Sequence, residues 1–322
     1  MSAPLLEVRD LAKSFESGGG LLGRRSGARL QAVRGVSFDL APGETLGLVG
    51  ESGCGKTTVA RMVVGLIAPS DGRIVFDGVE TASAGHVDRA AMRGKVQIVF
   101  QDPYTSLNPR LRVAEIIAEP LLNLGVSRQE AQRRVAELMA TVGLQPEHMS
   151  RFPHAFSGGQ RQRIGIARAL APRPRLIVCD EAVSALDVSI QAQILNLLAD
   201  IQRDFALTLL FISHNLAVVR HLCHRIAVMY LGQIVELAGE TQLFEAPLHP
   251  YTQALIAAVP EPDPDWAPAV AELAGDLPDP SNPPAGCAFH ARCPRAQEDC
   301  RQVMPVLREL APGHHVRCHY PG

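Results

Sequence analysis

The sequence lacks the features that mark membrane-spanning, secreted and nucleic-acid-binding chains. None of its 322 residues belongs to an apolar run long enough for a bilayer-spanning helix. Residues Met1 to Asp10 carry acids and no apolar core segment, so we expect no signal peptide. The formal net charge of -2 provides no basic excess for nucleic acid or an anionic membrane surface. We therefore expect a chain that is soluble, or peripheral through its partners.

A phosphate-binding loop stands near the start of the chain. It matches the pattern G-x-x-x-x-G-K-[ST] with Gly50, Glu51, Ser52, Gly53, Cys54, Gly55, Lys56, Thr57 and Thr58. An apolar stretch from Thr45 to Val49 precedes it, and a predicted helix follows it. The glycines let backbone N–H groups face phosphate oxygens, and the helix N-terminus adds positive potential. The sequence predicts nucleotide binding, with Lys56 at the β- and γ-phosphates and Thr57 on Mg²⁺.

Strand-like and helix-like stretches alternate from Leu5 to about residue 258. Hydrophobic residues make up 47% of the whole chain, which is enough for a substantial core. The alternation favours an α/β fold with a largely parallel sheet. Between about residues 104 and 171 the pattern becomes helical, which predicts a helical insertion. One predicted helix face consists of Val113, Ile116, Ile117, Leu121 and Leu124.

The composition changes after residue 258. Residues 259–286 contain eight prolines and no apolar periodicity, which predicts an extended linker. Residues 287–322 form a small tail that is rich in Cys and His. We therefore divide the chain into a nucleotide-binding domain, residues 1–258, a linker and a C-terminal extension.

Polar residues follow the ends of three further apolar strands. Asp180 and Glu181 follow one strand, Gln101 a second and His214 a third. In a phosphate-loop enzyme, an acid at a strand end holds Mg²⁺, and a second acid beside it polarises the attacking water. Gln101 is placed to touch Mg²⁺ or water, and His214 to bond the γ-phosphate. Taken singly, these residues fit solvated strand ends and a structural histidine equally well.

Ser157, Gly158, Gly159 and Gln160 open an Arg-rich predicted helix. Ser157 is a suitable N-cap, and the two glycines expose N–H groups at the positive end of the helix. This arrangement is typical of an anion site. An ordinary helix cap after a loop is the alternative.

In combination and in this order, the motifs resemble those of the ATPase subunits of ABC transporters. The resemblance covers residues 5 to about 250 and includes Ser184-Ala185-Leu186-Asp187. It implies that Phe15 stacks on adenine and that residues 157–160 bind the γ-phosphate of a second subunit's ATP. The resemblance also implies that Asp180 belongs to the Mg²⁺ site, that Glu181 is the catalytic base and that His214 is the switch histidine. It implies that Gln101 senses Mg²⁺ and the membrane partner, and that Asp187 lies in the loop that communicates between the two subunits.

Three stretches and the cysteine tail resemble the dipeptide/oligopeptide importer branch. The stretches are Phe100 to Arg110, Phe156 to Leu170 and His249 to Thr252. The Tyr104 context and the long loop from Ser17 to Arg29 favour the second, F-type subunit of the paired ATPases. Ala182 departs from the family, which usually has Pro after the acid pair, and we expect only a small geometric effect.

The resemblance implies an ATP-hydrolysing translocase subunit that powers uptake of di- or oligopeptides. Its implied partners are a second ATPase subunit in a heterodimer, two membrane permease subunits and an extracytoplasmic peptide-binding protein, with no nucleic acid. Its implied location is peripheral, on the cytoplasmic face of the inner (cell) membrane. A nickel or glutathione importer is an alternative. A soluble ABC ATPase acting on nucleic acid is less favoured because the chain has no long coiled coil and no second cassette.

Four of the seven cysteines lie in the C-terminal tail, at Cys287, Cys293, Cys300 and Cys318. A tail this short needs a staple or a host surface. Disulfides are disfavoured in the reducing compartment that a phosphate-loop protein suggests. The wide C-x5-C-x6-C-x17-C spacing suits an iron–sulfur cluster better than zinc, whose ligands are usually closely paired.

Members of the resembled branch carry a similar tail, and some bind a [4Fe–4S] cluster there. We therefore expect such a cluster in a structural role. Zinc stays possible, because His290, His315 and His319 lie nearby in the sequence. A tail that packs without metal is the third possibility.

Overall fold

The computed structural model describes residues 3–16, 29–259 and 278–322. The strands are β1 (Leu6–Glu16), β2 (Arg29–Leu40), β3 (Thr45–Val49), β4 (Asp71–Phe76), β5 (Val79–Ser83), β6 (His86–Val87), β7 (Val96–Val99), β8 (Leu176–Asp180), β9 (Thr208–Ser213), β10 (Arg225–Tyr230), β11 (Gln233–Gly239), β12 (Arg308–Ala311) and β13 (His314–Val316). The helices are α1 (Lys56–Val63), α2 (Arg89–Met92), α3 (Val113–Asn123), α4 (Arg128–Thr141), α5 (Gly158–Leu170), α6 (Val188–Phe205), α7 (Leu216–Leu222), α8 (Glu240–Glu245), α9 (Pro250–Ala257) and α10 (Glu298–Gln302). Short 3-10 helices span Pro146–Ser150, Pro153–Ala155 and His290–Arg292.

The main sheet has the strand order β12-β13-β11-β10-β3-β9-β8-β7. Its strands β10, β3, β9, β8 and β7 are parallel to one another. Strands β3, β8 and β9 are buried along their whole length, which accounts for their nearly unbroken apolar sequence. The predicted α/β fold is confirmed. Because parallel strands end at one edge of a sheet, this edge collects the phosphate loop and the polar residues after β7, β8 and β9.

A second, antiparallel sheet has the order β2-β1-β4-β5-β6. Its strands β1 and β2 pair with several register shifts, so their side chains do not follow a simple alternation. For this reason the sequence does not reveal that β1 continues to Glu16. Phe15 consequently lies on a strand, where its partner is Leu30.

Helices α3, α4 and α5 pack together as the predicted helical insertion. Val113, Ile116, Ile117 and Leu121 are buried, as expected for one helix face. The expectation was wrong for Leu124, which is 40% exposed because α3 ends before it. The insertion's boundaries at residues 104 and 171 stay a prediction.

The C-terminal segment, residues 278–322, packs on the core of its own chain. Strand β13 pairs with β11, and β12 pairs with β13, so the segment extends the main sheet by two strands. His314 Nε2 lies 2.7 Å from Oε1 of Glu236 on β11, and the two side chains are 2% and 0% exposed. The host surface that the sequence requires for this tail is therefore the main sheet itself.

Two predicted segments fall partly or wholly outside the description. Residues 17–28 of the predicted loop and residues 260–277 of the predicted linker lie outside the described residues. Among the described residues, no helix combines the length and apolar character needed to cross a membrane.

Candidate nucleotide-binding site

The phosphate loop connects β3 to α1 at the carboxyl edge of the main sheet. Gly50 has a φ of 155° and Gly55 a φ of 107°. A Cβ at Gly50 would lie 2.1 Å from the Met229 carbonyl oxygen, and one at Gly55 would lie 2.2 Å from that of Ala32. Both positions therefore require glycine, as the motif predicts.

Lys56, the first residue of α1, folds back over the loop. Its Nζ donates to the carbonyl oxygens of Gly50 at 2.7 Å and Glu51 at 2.9 Å. The residue is 4% exposed. Its third contact is the Cys54 Sγ at 3.8 Å. None of these three hydrogen-bond acceptors is a carboxylate, which favours binding of a phosphate beside the buried ammonium.

Thr57 and Asp180, both predicted for the Mg²⁺ site, lie together. The Thr57 hydroxyl donates to Asp180 Oδ1 at 3.0 Å. Burial raises the pKa of Asp180, the Thr57 hydrogen bond opposes that shift, and the charge of Glu181 adds to it. The pair is an oxygen-rich position in which a divalent cation would offset the cost of burying the carboxylate.

The carboxylate of Glu181 lies between the two other predicted residues. Gln101 Nε2 donates to its Oε2 at 3.0 Å, and His214 Nδ1 lies 3.3 Å from the same oxygen. Glu181 has a φ of 49°, which is uncommon for a residue other than glycine and accompanies the sharp exit from β8. Three strand ends thus converge on one carboxylate.

A cavity of about 310 Å³ lies beside the phosphate loop, with Gln101 and Glu181 in its lining but not Asp180 or His214. Its lining comprises Phe15, Leu30, Ala32, Ser52, Gly53, Gly55, Lys56, Thr57, Thr58, Gln101 and Glu181. Phe15 is 39% exposed at the rim, where a flat base has room to stack. Gly50, Glu51 and Cys54 support the loop without lining the cavity. Leu30 and Ala32 were not selected from the sequence, because β2 places them there through its pairing with β1.

The Ser157–Gln160 motif caps α5 but does not line this cavity. The Ser157 hydroxyl accepts from the Gln160 N–H at 3.4 Å, and Gln160 Oε1 accepts from the Ser157 N–H at 3.1 Å. A Cβ at Gly159 would lie 2.5 Å from Ile190 Cγ2, so glycine is needed for close packing on α6. The motif and the phosphate loop of one chain therefore do not form a joint site. Asp187 stands at the N-cap of α6, and a Cβ at Gly158 would lie 3.2 Å from Cδ2 of the preceding Leu186.

Two contacts to the loop come from residues to which the sequence assigned no role at the nucleotide site. The Tyr251 hydroxyl accepts a hydrogen bond from the Glu51 N–H at 3.0 Å. Arg292 of the C-terminal segment donates to the Glu51 carboxylate. Separations of 200 and 241 residues leave no local pattern from which these contacts follow.

The four tail cysteines line one small cavity of about 10 Å³. His290 and His319 also line it, whereas His315 does not. Burial raises the pKa of Cys287 to about 11 and also raises those of Cys293 and Cys318. Within residues 3–16, 29–259 and 278–322, no group of three or more His, Cys, Asp or Glu side chains is arranged closely enough to hold a metal ion.

A larger cavity, of about 480 Å³, lies on the helical insertion. It has no residue of the phosphate loop in its lining. Apolar residues of α3 form its floor, with Glu115, Glu119 and Arg128 among its polar neighbours. This cavity is distinct from the nucleotide cavity.

Comparison with known proteins identifies two matching families. Residues 33–184 match the family described as "ABC transporter", and residues 235–300 match "Oligopeptide/dipeptide transporter, C-terminal region". The second match includes most of β11 and three of the four tail cysteines.

Sequences similar to this chain are named as ATP-binding proteins of peptide transport. It is 52% identical to a probable peptide ABC transporter ATP-binding protein of Sinorhizobium fredii, covering 99% of this chain and 90% of that one. It is 50% identical to the oligopeptide transport ATP-binding protein AppF of Bacillus subtilis, covering 98% and 97%. It is 49% identical to the di/tripeptide transport ATP-binding protein DppF of Pseudomonas aeruginosa, with the same coverage of 98% and 97%.

Solved structures share the fold. CbiO1 of Clostridium perfringens, part of a cbiONQ ABC transporter complex, superposes with a TM-score of 0.65 at 25% identity, covering 76% of this chain and 91% of that one. The ATP-binding cassette MJ0796, solved as a dimer bound to ADP and Pi, gives a TM-score of 0.63 at 25% identity, covering 73% and 98%.

Proposed function

The chain belongs to the ATP-binding proteins of ABC transporters, and from that premise we propose that its ATP hydrolysis powers uptake of di- or oligopeptides. The observation that carries the proposal is the Glu181 carboxylate, held by Gln101 and His214 at the rim of the phosphate-loop cavity. The peptide cargo rests on the names of relatives that are about half identical over nearly their full length.

In this proposal the residues in and beside the nucleotide cavity have the following roles. Lys56 binds the β- and γ-phosphates, and Phe15 stacks on adenine. Thr57, Asp180 and Gln101 hold Mg²⁺, which when bound neutralises phosphate charge. Glu181 accepts a proton from the attacking water, and His214 contacts the γ-phosphate. The Glu181 contacts orient this base before nucleotide arrives.

A second ATPase subunit completes the site in this proposal. Because Ser157–Gln160 lies outside the chain's own nucleotide cavity, the Gly158 and Gly159 N–H groups at the start of α5 would face a nucleotide on a partner. Two chains arranged head to tail would each supply the motif to the other, and closure would exclude water. We propose a heterodimer with a paired ATPase subunit, with Asp187 near the contact.

The cavity on the helical insertion is the proposed dock for a short helix of a membrane permease subunit. Ala114, Ala118 and Leu122 offer an apolar surface, and Glu115 and Glu119 favour a helix with basic residues at its margin. Crosslinks between this surface and a permease subunit test the assignment. Crosslinks confined to the face that carries β1 and β2 would contradict it.

Transport in the reconstituted assembly tests the cargo. The chain would be purified with its paired ATPase, two permease subunits and an extracytoplasmic binding protein, then placed in vesicles with MgATP. Uptake of a labelled dipeptide that stops with Glu181→Gln supports the proposal. Uptake of nickel or glutathione instead would reassign the cargo while leaving the ATPase role intact. In this scheme the chain sits at the cytoplasmic face of the membrane, without a nucleic-acid partner.

We also propose that the four tail cysteines hold a [4Fe–4S] cluster. Their thiols line one cavity, and burial raises the pKa of Cys287 and Cys318, so these thiols stay protonated unless a metal takes the place of the proton. The four thiols supply the ligand type that such a cluster takes, but their arrangement in this structure does not hold a metal, so the loops that carry them would have to rearrange around the cluster. The cluster would pin residues 287–322 as a structural unit.

Metal analysis tests the cluster. After purification without oxygen, about four iron and four sulfide per chain, both lost in Cys293→Ser, support it. Stoichiometric zinc would point to a site using His290 or His319. A fully active preparation without metal would contradict both.

A further inference from the structure

Arg292 of the C-terminal segment forms a two-pronged ion pair with Glu51 of the phosphate loop. Its Nη1 donates to Glu51 Oε2 at 2.9 Å, and its Nη2 donates to Oε1 at 3.1 Å. The Arg292 side chain is 7% exposed and that of Glu51 is 24% exposed. A bidentate pair that is largely shielded from water fixes geometry more firmly than a surface pair.

The packing of the C-terminal segment sets the position of Arg292. Arg292 ends a 3-10 helix that begins just after Phe289, which is 1% exposed. The Phe289 ring lies 5.2 Å from that of Tyr230 and 5.4 Å from that of Tyr251. Tyr230 belongs to β10 and Tyr251 to α9. The packing of Phe289 against these two rings therefore fixes the position of Arg292 relative to the nucleotide-binding core.

Glu51 is a junction within the loop. Its N–H donates to Tyr251, its carbonyl accepts from Lys56, and its carboxylate binds Arg292. Ser52, the next residue, lines the nucleotide cavity. Movement of Glu51 would therefore displace both the loop backbone and the Lys56 ammonium.

The ion pair also neutralises the negative charge of Glu51. A carboxylate next to a phosphate-binding cavity repels a polyanionic ligand unless it is neutralised. Arg292 provides that neutralisation and does not line the cavity. Loss of Arg292 would leave a half-buried negative charge at the entrance to the loop.

From this geometry we infer that Arg292 is a positioning residue for nucleotide binding, through which the C-terminal segment holds the phosphate loop in its binding conformation. The inference rests on the proposed nucleotide site. It assigns residues 278–322 a role in the ATPase cycle beyond packing on the sheet.

The physical consequence is a change in affinity. When the binding-competent loop is populated only in part, the apparent dissociation constant rises by the inverse of that fraction. Once nucleotide is bound, the loop is ordered by the phosphates themselves. Arg292 should therefore affect the dissociation constant and the KM, with little effect on kcat at saturating ATP.

Calorimetric titration of the full chain with MgATP tests the inference. Arg292→Gln should weaken binding about tenfold, with one site per chain retained. Glu51→Gln should weaken it less, because this change removes a negative charge near the phosphates and leaves the positive charge of Arg292. The double variant should bind no more weakly than Arg292→Gln, since both changes break the same interaction.

Three matched variants separate the possible results. Arg301→Gln alters an exposed arginine that adjoins Cys300 as Arg292 adjoins Cys293, and it should bind like the wild type. Arg292→Lys keeps the charge but not the fork and should recover part of the affinity. Lys56→Ala should weaken binding about 10- to 100-fold if the proposed nucleotide site is right.

The inference is overturned if Arg292→Gln retains wild-type affinity while Lys56→Ala has lost it. It is also overturned if Arg292→Gln lowers the number of sites at unchanged affinity, because that result reports unfolding of the segment. Retained binding in Lys56→Ala would instead refute the nucleotide site itself. Iron measured in every preparation shows whether a change in affinity follows loss of metal rather than loss of the pair.

Discussion

The nucleotide edge of the main sheet and the C-terminal segment use the same sheet in opposite ways. At the nucleotide edge, the carboxyl ends of β3, β7, β8 and β9 present polar side chains to a cavity, with Asp180 buried at a cost to its ionisation. In the C-terminal segment, Phe289 is packed among aromatic rings, and the His314–Glu236 pair is shut away from water.

This contrast separates residues that serve ligand binding and catalysis from residues that serve packing. Groups held ready for a ligand stay incompletely satisfied until the ligand arrives, so replacing them should alter activity more than folding. Groups that fill the interior should do the reverse. The Glu51–Arg292 pair is the place where the two regions meet. Variants in each region can therefore sharpen or break the distinction.

The largest effect is expected for Glu181→Gln. The amide cannot accept a proton from water, so hydrolysis in the assembly with its paired subunit should fall by about 10²–10⁴-fold. ATP binding and the unfolding temperature should stay near the wild-type values, because the shape of the side chain is kept. Glu245→Gln, at an exposed position on α8, serves as the control. Full turnover by Glu181→Gln would remove Glu181 from the role of base.

The next effect belongs to the C-terminal segment. Phe289→Ala removes a fully buried ring that contacts Tyr230 and Tyr251, which should cost about 3–5 kcal/mol of unfolding free energy. Val306→Ala, at a side chain that is 77% exposed, should change stability by less than about 0.5 kcal/mol. Both are measured by denaturant unfolding of the nucleotide-free chain. Equal stability of the two variants would mean that the segment is not part of the cooperative core.

The two regions also differ in how far the sequence predicts them. The phosphate loop, Gln101, Asp180, Glu181 and His214 each follow an apolar strand, and parallel strands bring their carboxyl ends together. A local pattern therefore sufficed to assemble most of the candidate site. The parallel sheet and the helical insertion follow from periodicity in the same way.

The remainder depends on contacts between distant parts of the chain. Strands β12 and β13 have four and three residues, too few for an alternation to appear. Tyr251 and Arg292 reach Glu51 across 200 and 241 residues, and no spacing rule encodes such contacts. The antiparallel sheet stays hidden for a related reason, since bulges interrupt the pairing of β1 with β2.

A smaller effect than that of Glu181→Gln is expected for Lys56→Ala. This variant removes the cation that contacts the Gly50 and Glu51 carbonyls, so MgATP affinity should fall about 10- to 100-fold. Folding should be little affected, because the lysine is a buried charge whose removal relieves desolvation. Lys95→Ala, at an exposed position before β7, is the matched control. Unchanged affinity would contradict the role of Lys56 at the phosphates.

The smallest effect concerns the stability of Asp180→Asn without nucleotide. Burial raises the pKa of Asp180 above its unfolded value, with the Thr57 hydrogen bond opposing the shift. Between the two pKa values the folded chain binds more protons than the unfolded chain, so this group's contribution to stability falls as pH rises and stays reduced above that window. At neutral pH the uncharged amide, which still accepts from Thr57, should therefore raise stability by about 1 kcal/mol.

The pH dependence makes that expectation specific. Below about pH 4, where the carboxyl is protonated in both states, the gain in Asp180→Asn over the wild type should disappear. Thermal unfolding at neutral and acid pH measures it, with the exposed Asp200→Asn as the control. Saturating MgATP should reverse the order at neutral pH, because only the carboxylate offers a charge to the cation and binding stabilises the folded state. A variant that is less stable than the wild type without nucleotide would show that Asp180 is a packing group, and the distinction between the two regions would fail at this carboxylate.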